Sequence, residues 1–162
     1  MKFYHVDDAY VTYLKTFEPK VSENKQQSRP YVGIIIEIDN VFFYAPLSSP
    51  KPKHKKMKNS IDFRKINGGI YGAININLMI PVPINLIYAI DFSQIPDQKY
   101  KRLLQNQYKC IKSDWSNVVN AANELYNMYI MNDSSLSENE KKIKQRCCNF
   151  PLLIDKANNY IK

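Results

Sequence analysis

The chain has 162 residues, a hydrophobic content of 44% and a formal net charge of +8. This length and apolar content suffice for one domain with a hydrophobic core, and they exclude a disordered chain. We therefore expect a single domain over residues 1–162. The excess of lysine and arginine favours an anionic partner, with nucleic acid ahead of a membrane surface.

Cysteine usage and hydropathy indicate the compartment. Cys110, Cys147 and Cys148 are too few and too unevenly spaced for a disulfide framework, which is typical of a reducing compartment. No apolar run approaches the roughly 18 residues of a membrane span, and the start MKFYHVDDAY lacks the apolar core of a signal peptide. We expect a cytoplasmic protein without membrane contact.

The first elements predicted along the chain are a strand and a capped helix. KFYHV (2–6) is a β-rich run, and Asp7 can cap a helix that continues to about Glu18. The polar segment 22–29 follows and predicts a mobile loop.

Four further β-rich runs follow. YVGIIIEI (31–38) and VFFYA (41–45) are joined by Asp-Asn, which predicts a hairpin. Residues 71–80 alternate between apolar and polar side chains, and residues 84–92 form another apolar run, so each predicts a strand. Strands this close in sequence favour a curved, largely antiparallel sheet or a small open barrel.

The second half of the chain has helical periodicity. Apolar residues recur with the 3.6-residue period of a helix over 96–111 and again over 115–129, with a break between them. Ser137 and Glu140 match a capping box, and Pro151 suits the first turn of a last helix. The pattern predicts an α+β fold with a helical C-terminal half.

A proline- and lysine-rich segment, PLSSPKPKHKKMK (46–58), follows the second strand of the hairpin. Its prolines argue against a ladder or helix, and on charge alone it is typical of a solvated loop. Its position favours a phosphate site, because the end of a buried strand can hold the Ser48 and Ser49 hydroxyls rigidly. Lys51 and Lys53 would add positive charge beside these neutral donors.

RNA cleavage is a reaction that such a site could perform. The 2′-hydroxyl of RNA attacks the adjacent phosphate in line, so the protein must supply geometry and charge stabilisation rather than a nucleophile. A base for the 2′-hydroxyl and an acid for the leaving 5′-oxygen assist. Lysine can stabilise charge or act as the acid and serine can position the phosphate, but the residues do not identify the base.

Other chemistries fit the sequence less well. A two-histidine ribonuclease site would need His5 and His54 near one phosphate, and we keep it as the less favoured alternative. The cysteines form no ligand quartet and Asp7–Asp8 suits a helix cap better than a metal, so we expect no metal site and no cofactor.

Aromatic residues accompany the charge, with 12 tyrosines and 7 phenylalanines. A tyrosine ring can stack on an unpaired base while lysines contact the backbone, although most of these rings are expected in the core. Tyr10, Tyr31 and Tyr108 are compatible with either role.

Five segments of the chain together carry a family resemblance: MKFYHVDDAYVTYLK (1–15), YVGIIIEIDNVFFYAPLSSPKPKH (31–54), INLMIPVP (76–83), IPDQKYKRLLQNQYKCIK (95–112) and CNFPLLIDK (148–156). The block with APLSSPK is the most specific of them. By these segments, which occur in family order over nearly the whole chain, the sequence resembles the ToxN/AbiQ family of type III toxin–antitoxin endoribonucleases.

The resemblance implies a fold, an activity and a partner. The fold would be a compact, highly twisted antiparallel sheet surrounded by helices, similar to Kid/MazF toxins. The activity would be RNA cleavage without metal, commonly at adenine-rich sites, which leaves a 2′,3′-cyclic phosphate and a 5′-hydroxyl. The partner would be a small repeat RNA that the toxin cuts into pseudoknots. These would inhibit it in a closed protein–RNA ring without direct protein–protein contact. Many members abort phage infection, so cellular or phage RNA is the expected substrate.

The resemblance also assigns residues. Ser48, Ser49 and Lys51 match the catalytic block, and Tyr10 matches a groove tyrosine. Arg29 stands where relatives often carry lysine, so binding suits it better than proton donation. The expected RNA-binding residues are Tyr10, Arg29, Tyr31, Lys53, His54, Lys55 and Lys56.

Two parts of the interpretation stay open at this point. We expect segment 52–58 to be a flexible arm along the RNA backbone, distinct from a catalytic corner at 48–51. The alternatives to an enzyme are a non-catalytic RNA-binding module that uses the same groove and a helical adaptor for another protein.

Overall fold

The computed structural model describes residues 1–160, which form an α+β fold. The strands are β1 (Lys2–Val6), β2 (Tyr31–Ile38), β3 (Val41–Ser48), β4 (Phe63–Lys65), β5 (Ala73–Asn75), β6 (Ile80–Pro81) and β7 (Ile87–Ala89). The helices are α1 (Asp8–Phe17), α2 (Pro52–Lys56), α3 (Gln98–Ser113), α4 (Trp115–Ile130), α5 (Glu138–Arg146) and α6 (Phe150–Asn158). No helix within residues 1–160 is both long and apolar enough to span a bilayer.

The strands form one antiparallel sheet in the order β4-β5-β3-β2-β1-β7, and β6 adds to β3. The two ends of this order do not pair, so the sheet is open. The hairpin predicted from the Asp-Asn dipeptide is confirmed: β2 pairs with β3, and Asp39 and Asn40 have φ of +49° and +62°. These left-handed conformations match a tight turn that follows the twist of the strands. The likeness to Kid/MazF toxins stays a prediction.

Capping residues set the helix boundaries that the sequence predicts. The Asp7 side chain accepts a hydrogen bond from the Tyr10 amide at 3.1 Å. Asp7 is therefore the N-cap of α1, and the helix begins at the next residue, Asp8. Ser137 and Glu140 form the reciprocal capping box of α5. The predicted break between the two long helices lies at Asp114, where the backbone leaves helical geometry.

Two predicted strands are wrong in extent. Segment 71–80 is interrupted, because β5 and β6 pair with different parts of β3. A 3-10 turn over Ile76–Leu78 takes up the extra length between them and still buries Ile76. The alternating pattern therefore reflected burial rather than one continuous strand. Segment 84–92 keeps only the three residues of β7, with a 3-10 turn on each side.

The core lies between the sheet and the helices, and it contains two tyrosines expected to contact RNA. Tyr10 and Tyr31 are both 0% exposed. The Tyr10 hydroxyl donates a hydrogen bond to the Pro81 carbonyl at 2.7 Å, which ties α1 to β6. Neither ring is accessible to a base, so the predicted stacking role is wrong for both residues. Tyr108 is partly buried and packs edge-on against Phe3.

Tyr10→Phe tests this structural role. The substitution leaves the buried Pro81 carbonyl without its partner, so we expect the free energy of unfolding to fall by about 1–2 kcal/mol. Urea denaturation measures the change. Tyr13→Phe is the matched control, because its hydroxyl makes a longer bond of 3.3 Å to Lys156 in a partly exposed position. We expect the control to lose less than about 0.5 kcal/mol, and equal losses would contradict the interpretation.

Candidate active site

The end of β3 is held by a close approach of the chain at Gly72. Ser48 is the last residue of β3 and pairs with Ala73 of β5. Gly72 has a φ of +95°, and a Cβ on it would lie 2.0 Å from the Ser48 carbonyl oxygen. Only glycine fits both the conformation and the space. This contact fixes the backbone from which Ser48 and Ser49 project.

Segment 52–58 begins as a short helix, so the prediction of a flexible arm is wrong. Pro52 lies in the first turn of α2, where its missing N–H and fixed φ are tolerated. The helix packs closely on the turn at Gly69, where a Cβ would lie 2.7 Å from the His54 carbonyl oxygen. Lys53, Lys55 and Lys56 remain exposed.

His54 is buried rather than exposed for RNA contact. Its side chain is 2% exposed and its ring lies against Phe63, 5.7 Å between centroids. Burial, together with the charges of Lys51 and Lys53, lowers the pKa of His54. The residue nevertheless belongs to the lining of a cleft described below, so the predicted RNA-binding role of His54 stays a prediction. His5 lies in β1 and lines neither of the clefts defined below, so neither cleft brings the two histidines together.

Arg29 is fixed by main-chain carbonyls. The segment before it is anchored to β1, because buried Asn24 donates to the Val6 carbonyl at 2.8 Å. The Arg29 guanidinium donates to the carbonyls of Glu23 and, at 3.3 Å, Leu47. It makes no salt bridge within residues 1–160, so its orientation is set while its charge is not neutralised.

Two clefts meet at Arg29, Ser48 and Lys51. Cleft A has a volume of about 220 Å³ and cleft B a volume of about 670 Å³. Cleft A is lined by Lys25, Ser28, Arg29, Pro30, Leu47, Ser48, Ser49, Lys51, Tyr100, Leu103, Leu104 and Gln107. Cleft B is lined by Ser22, Arg29, Ser48, Lys51, Lys53, His54, Met57, Lys58, Ser60, Asp62, Phe63, Asn75, Asn77, Leu78 and Arg146.

The charge of cleft B suits a polyanion. Lys51, Lys53 and Lys58 line it, and no salt bridge to them occurs among the described residues. The one acidic residue of the lining, Asp62, is 3% exposed and is bound by Arg146 at 2.9 Å. The cleft therefore presents an excess of cations along a path that a phosphate backbone could follow.

Cleft A suits a flat group next to that path. Its wall from α3 combines the apolar Leu103 and Leu104 with the polar ends of Tyr100 and Gln107. Gln107 is buried, and its amide donates to the Tyr71 carbonyl at 2.7 Å. None of the residues that line this cleft is acidic. An apolar face with polar groups at its edge is the environment that a nucleobase prefers.

The structure brings together part of the predicted site. Arg29, Ser48, Ser49 and Lys51 line cleft A, and Lys53 lines cleft B. Lys55 and Lys56 line neither, and lie instead beside a third hollow with Pro50, Pro52, Gly69 and Ile70.

Four contributors to the site are not among the residues predicted from the sequence: Gly72, Asn75, Arg146 and the α3 wall of cleft A. The Asn75 amide donates a hydrogen bond to the Ser48 hydroxyl oxygen at 2.6 Å. The alternating pattern had indicated only that Asn75 faces away from the core. The residues of α3 match helical periodicity, which cannot separate a core face from a cleft wall.

A profile of the family described as toxin ToxN of type III toxin–antitoxin systems matches residues 2–158. The chain belongs to the ToxN family. Over 172 aligned positions it is 30% identical to endoribonuclease ToxN of Pectobacterium atrosepticum, covering 100% of this chain and 95% of that protein. It is 31% identical to endoribonuclease ToxN of Bacillus thuringiensis subsp. kurstaki, covering 98% of this chain and 84% of that protein. The family predicted from the five segments is confirmed.

Solved structures of this family have the same fold. One structure, with a TM-score of 0.86 and 31% identity, matches over 98% of this chain and 96% of its own. Its description concerns selective toxin inhibition by a non-coding RNA pseudoknot in bacterial type III toxin–antitoxin systems. Another, described as a processed non-coding RNA that regulates a bacterial antiviral system, has a TM-score of 0.81 and 29% identity, with both chains covered completely. The lactococcal anti-phage endoribonuclease AbiQ, at 24% identity, supports the fold with a TM-score of 0.77 over 97% of this chain and 95% of that one.

Gly72→Ala tests the backbone contact at the site. Because the new methyl group would meet the Ser48 carbonyl, we expect the free energy of unfolding to fall by about 2–4 kcal/mol. Gly68→Ala is the control: Gly68 has a φ of +61°, but its Cβ would lie in open space. We expect that control to lose about 1 kcal/mol in chemical denaturation. Equal losses would show that the approach to Ser48 is not the constraint.

Proposed function

We propose that this protein is a metal-independent endoribonuclease toxin of a type III toxin–antitoxin system. The observation that carries the proposal is the meeting of clefts A and B at Arg29, Ser48 and Lys51, next to the exposed Ser49. Serine hydroxyls and two cations, for which the described residues contain no salt-bridge partner, line this junction together, which suits a phosphate. Membership of the ToxN family, whose curated relatives are named endoribonucleases, supports the same conclusion.

The proposed reaction is transesterification within the RNA. The 2′-oxygen forms a bond to phosphorus, the bond from phosphorus to the 5′-oxygen breaks, and a 2′,3′-cyclic phosphate and a 5′-hydroxyl result. Ser48 and Ser49 would donate hydrogen bonds to the non-bridging oxygens. Arg29 and Lys51 would stabilise the added negative charge of the transition state. Lys51 also carries protons that it can give to the leaving 5′-oxygen, whereas Arg29 is suited only to binding.

The proposed inhibitor is a small repeat RNA that forms a pseudoknot. The related solved structures are described as toxins regulated or inhibited by non-coding RNA, which supports an RNA partner here. The cations of cleft B offer a surface for that RNA. We propose a closed ring of alternating protein and RNA without protein–protein contact, acting in the cytoplasm against phage infection.

Lys51→Ala and Ser49→Ala test the catalytic assignment. We expect each to lower the cleavage rate at least about 100-fold, because each removes a group that contacts the scissile phosphate. The measurement is cleavage of adenine-rich RNA by the purified protein in EDTA, with the product ends identified as cyclic phosphate or not. Lys142→Ala on α5 is the matched control, since it removes an exposed lysine away from both clefts.

Several outcomes of this experiment would count against the proposal. Full cleavage by both folded variants would overturn the assignment of Lys51 and Ser49. RNA binding by the wild-type protein without cleavage would favour the non-catalytic module. Cleavage that EDTA abolishes would contradict a metal-independent reaction.

Salt dependence tests the proposed path of the RNA. We expect Lys53→Ala to reduce the slope of log affinity against log salt by about 0.7, the value for one phosphate contact on a single strand. Fluorescence anisotropy with labelled RNA gives the slope, and Lys142→Ala should leave it unchanged. An equal reduction in Lys55→Ala would extend the path over the outer side of α2. A wild-type slope near zero would instead favour the protein adaptor.

A further inference from the structure

Among the described residues, the side chain of Asn75 is the one protein group that hydrogen-bonds the Ser48 hydroxyl. Ser48 lies opposite Ala73 in the β3–β5 ladder, and Asn75 lies two residues beyond Ala73. Because side chains two residues apart in a strand share a face, Asn75 lies diagonally across from Ser48 on the same face. Its amide nitrogen is 2.6 Å from the Ser48 hydroxyl oxygen. This distance is short for a hydrogen bond from an amide.

A second acceptor indicates which end of the Asn75 amide faces Ser48. The same nitrogen also contacts the Pro46 carbonyl oxygen at 3.4 Å. If the amide were rotated by half a turn, its oxygen would face that carbonyl, and two acceptors would repel. The nitrogen therefore points toward β3, and Asn75 is the donor to Ser48.

The direction of this bond decides where the Ser48 proton points. A serine hydroxyl has one proton and two lone pairs. Since Asn75 occupies a lone pair, the proton is available for another acceptor. Within residues 1–160 no protein acceptor for it is found, and the hydroxyl lies where clefts A and B meet. A phosphate oxygen at that junction would accept it.

We infer that Asn75 is a positioning residue that holds the Ser48 hydroxyl as a hydrogen-bond donor toward the scissile phosphate. The inference rests on the proposed ribonuclease function and assigns Asn75 a part in it. Asn75 does not touch the phosphate; it acts through Ser48. Accepting a bond from the amide also polarises the hydroxyl and makes it a better donor.

Asn75→Asp tests the inference, because the two side chains have nearly the same shape. A carboxylate can only accept, so the Ser48 proton turns away from the cleft and toward residue 75. We expect the cleavage rate at saturating RNA to fall about 10- to 100-fold. The added charge also weakens RNA binding, so the rate and the affinity are measured separately. Affinity is measured on RNA with a 2′-deoxy residue at the cleavage position.

Asn77→Asp is the matched control for charge. Asn77 lines the same cleft, but its amide donates to the Arg146 carbonyl at 3.0 Å rather than to Ser48. We expect this variant to weaken RNA binding, and to lower the saturated rate by a smaller factor than Asn75→Asp does. A fall in rate equal to that of Asn75→Asp would make charge, rather than the bond to Ser48, the cause.

A double-mutant cycle with Ser48→Ala separates positioning from a structural role. If Asn75 acts through Ser48, Asn75→Asp should lower the rate by less than about threefold further in the Ser48→Ala background. A structural role would instead give its full loss in both backgrounds, which would overturn the inference. So would an unchanged rate in Asn75→Asp alone. If Asn75→Asp does not fold, the neutral variant Asn75→Ala replaces it in the wild-type and Ser48→Ala backgrounds. The criterion is the same: a loss of rate that depends on Ser48 supports positioning.

The failure of the proposed function would be distinguishable from the failure of this inference. A wild-type protein that binds RNA without cleaving it contradicts the function alone. In that case the same double-mutant cycle is measured by RNA affinity instead of cleavage rate. A change in affinity on Asn75→Asp that depends on the presence of Ser48 supports the positioning role. Independence of the two effects would overturn it. A wild-type protein that cleaves, together with additive losses, contradicts the inference alone.

Discussion

The contact of Gly72 with the Ser48 carbonyl is the constraint on which the site depends. It lets β5 reach the last residue of β3, so that Asn75 can bond Ser48 from the same face. Gly69, three residues earlier, similarly lets α2 pack closely, because a Cβ there would lie 2.7 Å from the His54 carbonyl oxygen. The turn over residues 69–72 therefore contacts both the backbone at Ser48 and α2, the helix that carries Lys53, Lys55 and Lys56. Its two glycines are needed because a side chain at either position would meet backbone, which cannot move aside.

The cations at the site are held differently from some cations elsewhere in the protein. Away from the junction, Arg64 binds Asp114 at 2.6 Å, and Lys144 binds Asp133 at 2.8 Å. At the junction, Arg29 is oriented by carbonyl dipoles, and Lys51 makes no salt bridge among the described residues. Carbonyl partners fix a guanidinium without neutralising it. The site therefore holds net positive charge in place before any ligand arrives, which is the arrangement that stabilises a phosphate at low reorganisation cost.

Short-range signals in the sequence predicted the fold well. The Asp-Asn hairpin, the Asp7 cap, the Ser137 capping box and the helix break at Asp114 all depend on neighbours within a few residues. The predicted strand boundaries were wrong where hydrogen-bonded pairing between strands distant in sequence determines the structure. Segment 71–80 alternates as a strand would, but a single strand could not meet β3 at both of its contacts, so the chain turns between them.

The sequence by itself determined the family, the helical second half, the hairpin and the serine–lysine block at 48–51, because each is carried by local pattern or motif. Only the tertiary structure decided which polar and aromatic side chains face a cleft. Tyr10, Tyr31 and His54 have the composition of an RNA surface, yet the packing of α1, the sheet and α2 buries them. Asn75 looked like an ordinary exposed strand residue, yet strand register places it against Ser48. The exposure of a side chain and its hydrogen-bond partners depend on contacts between segments distant in sequence. The local pattern of residues does not tell which segments come into contact.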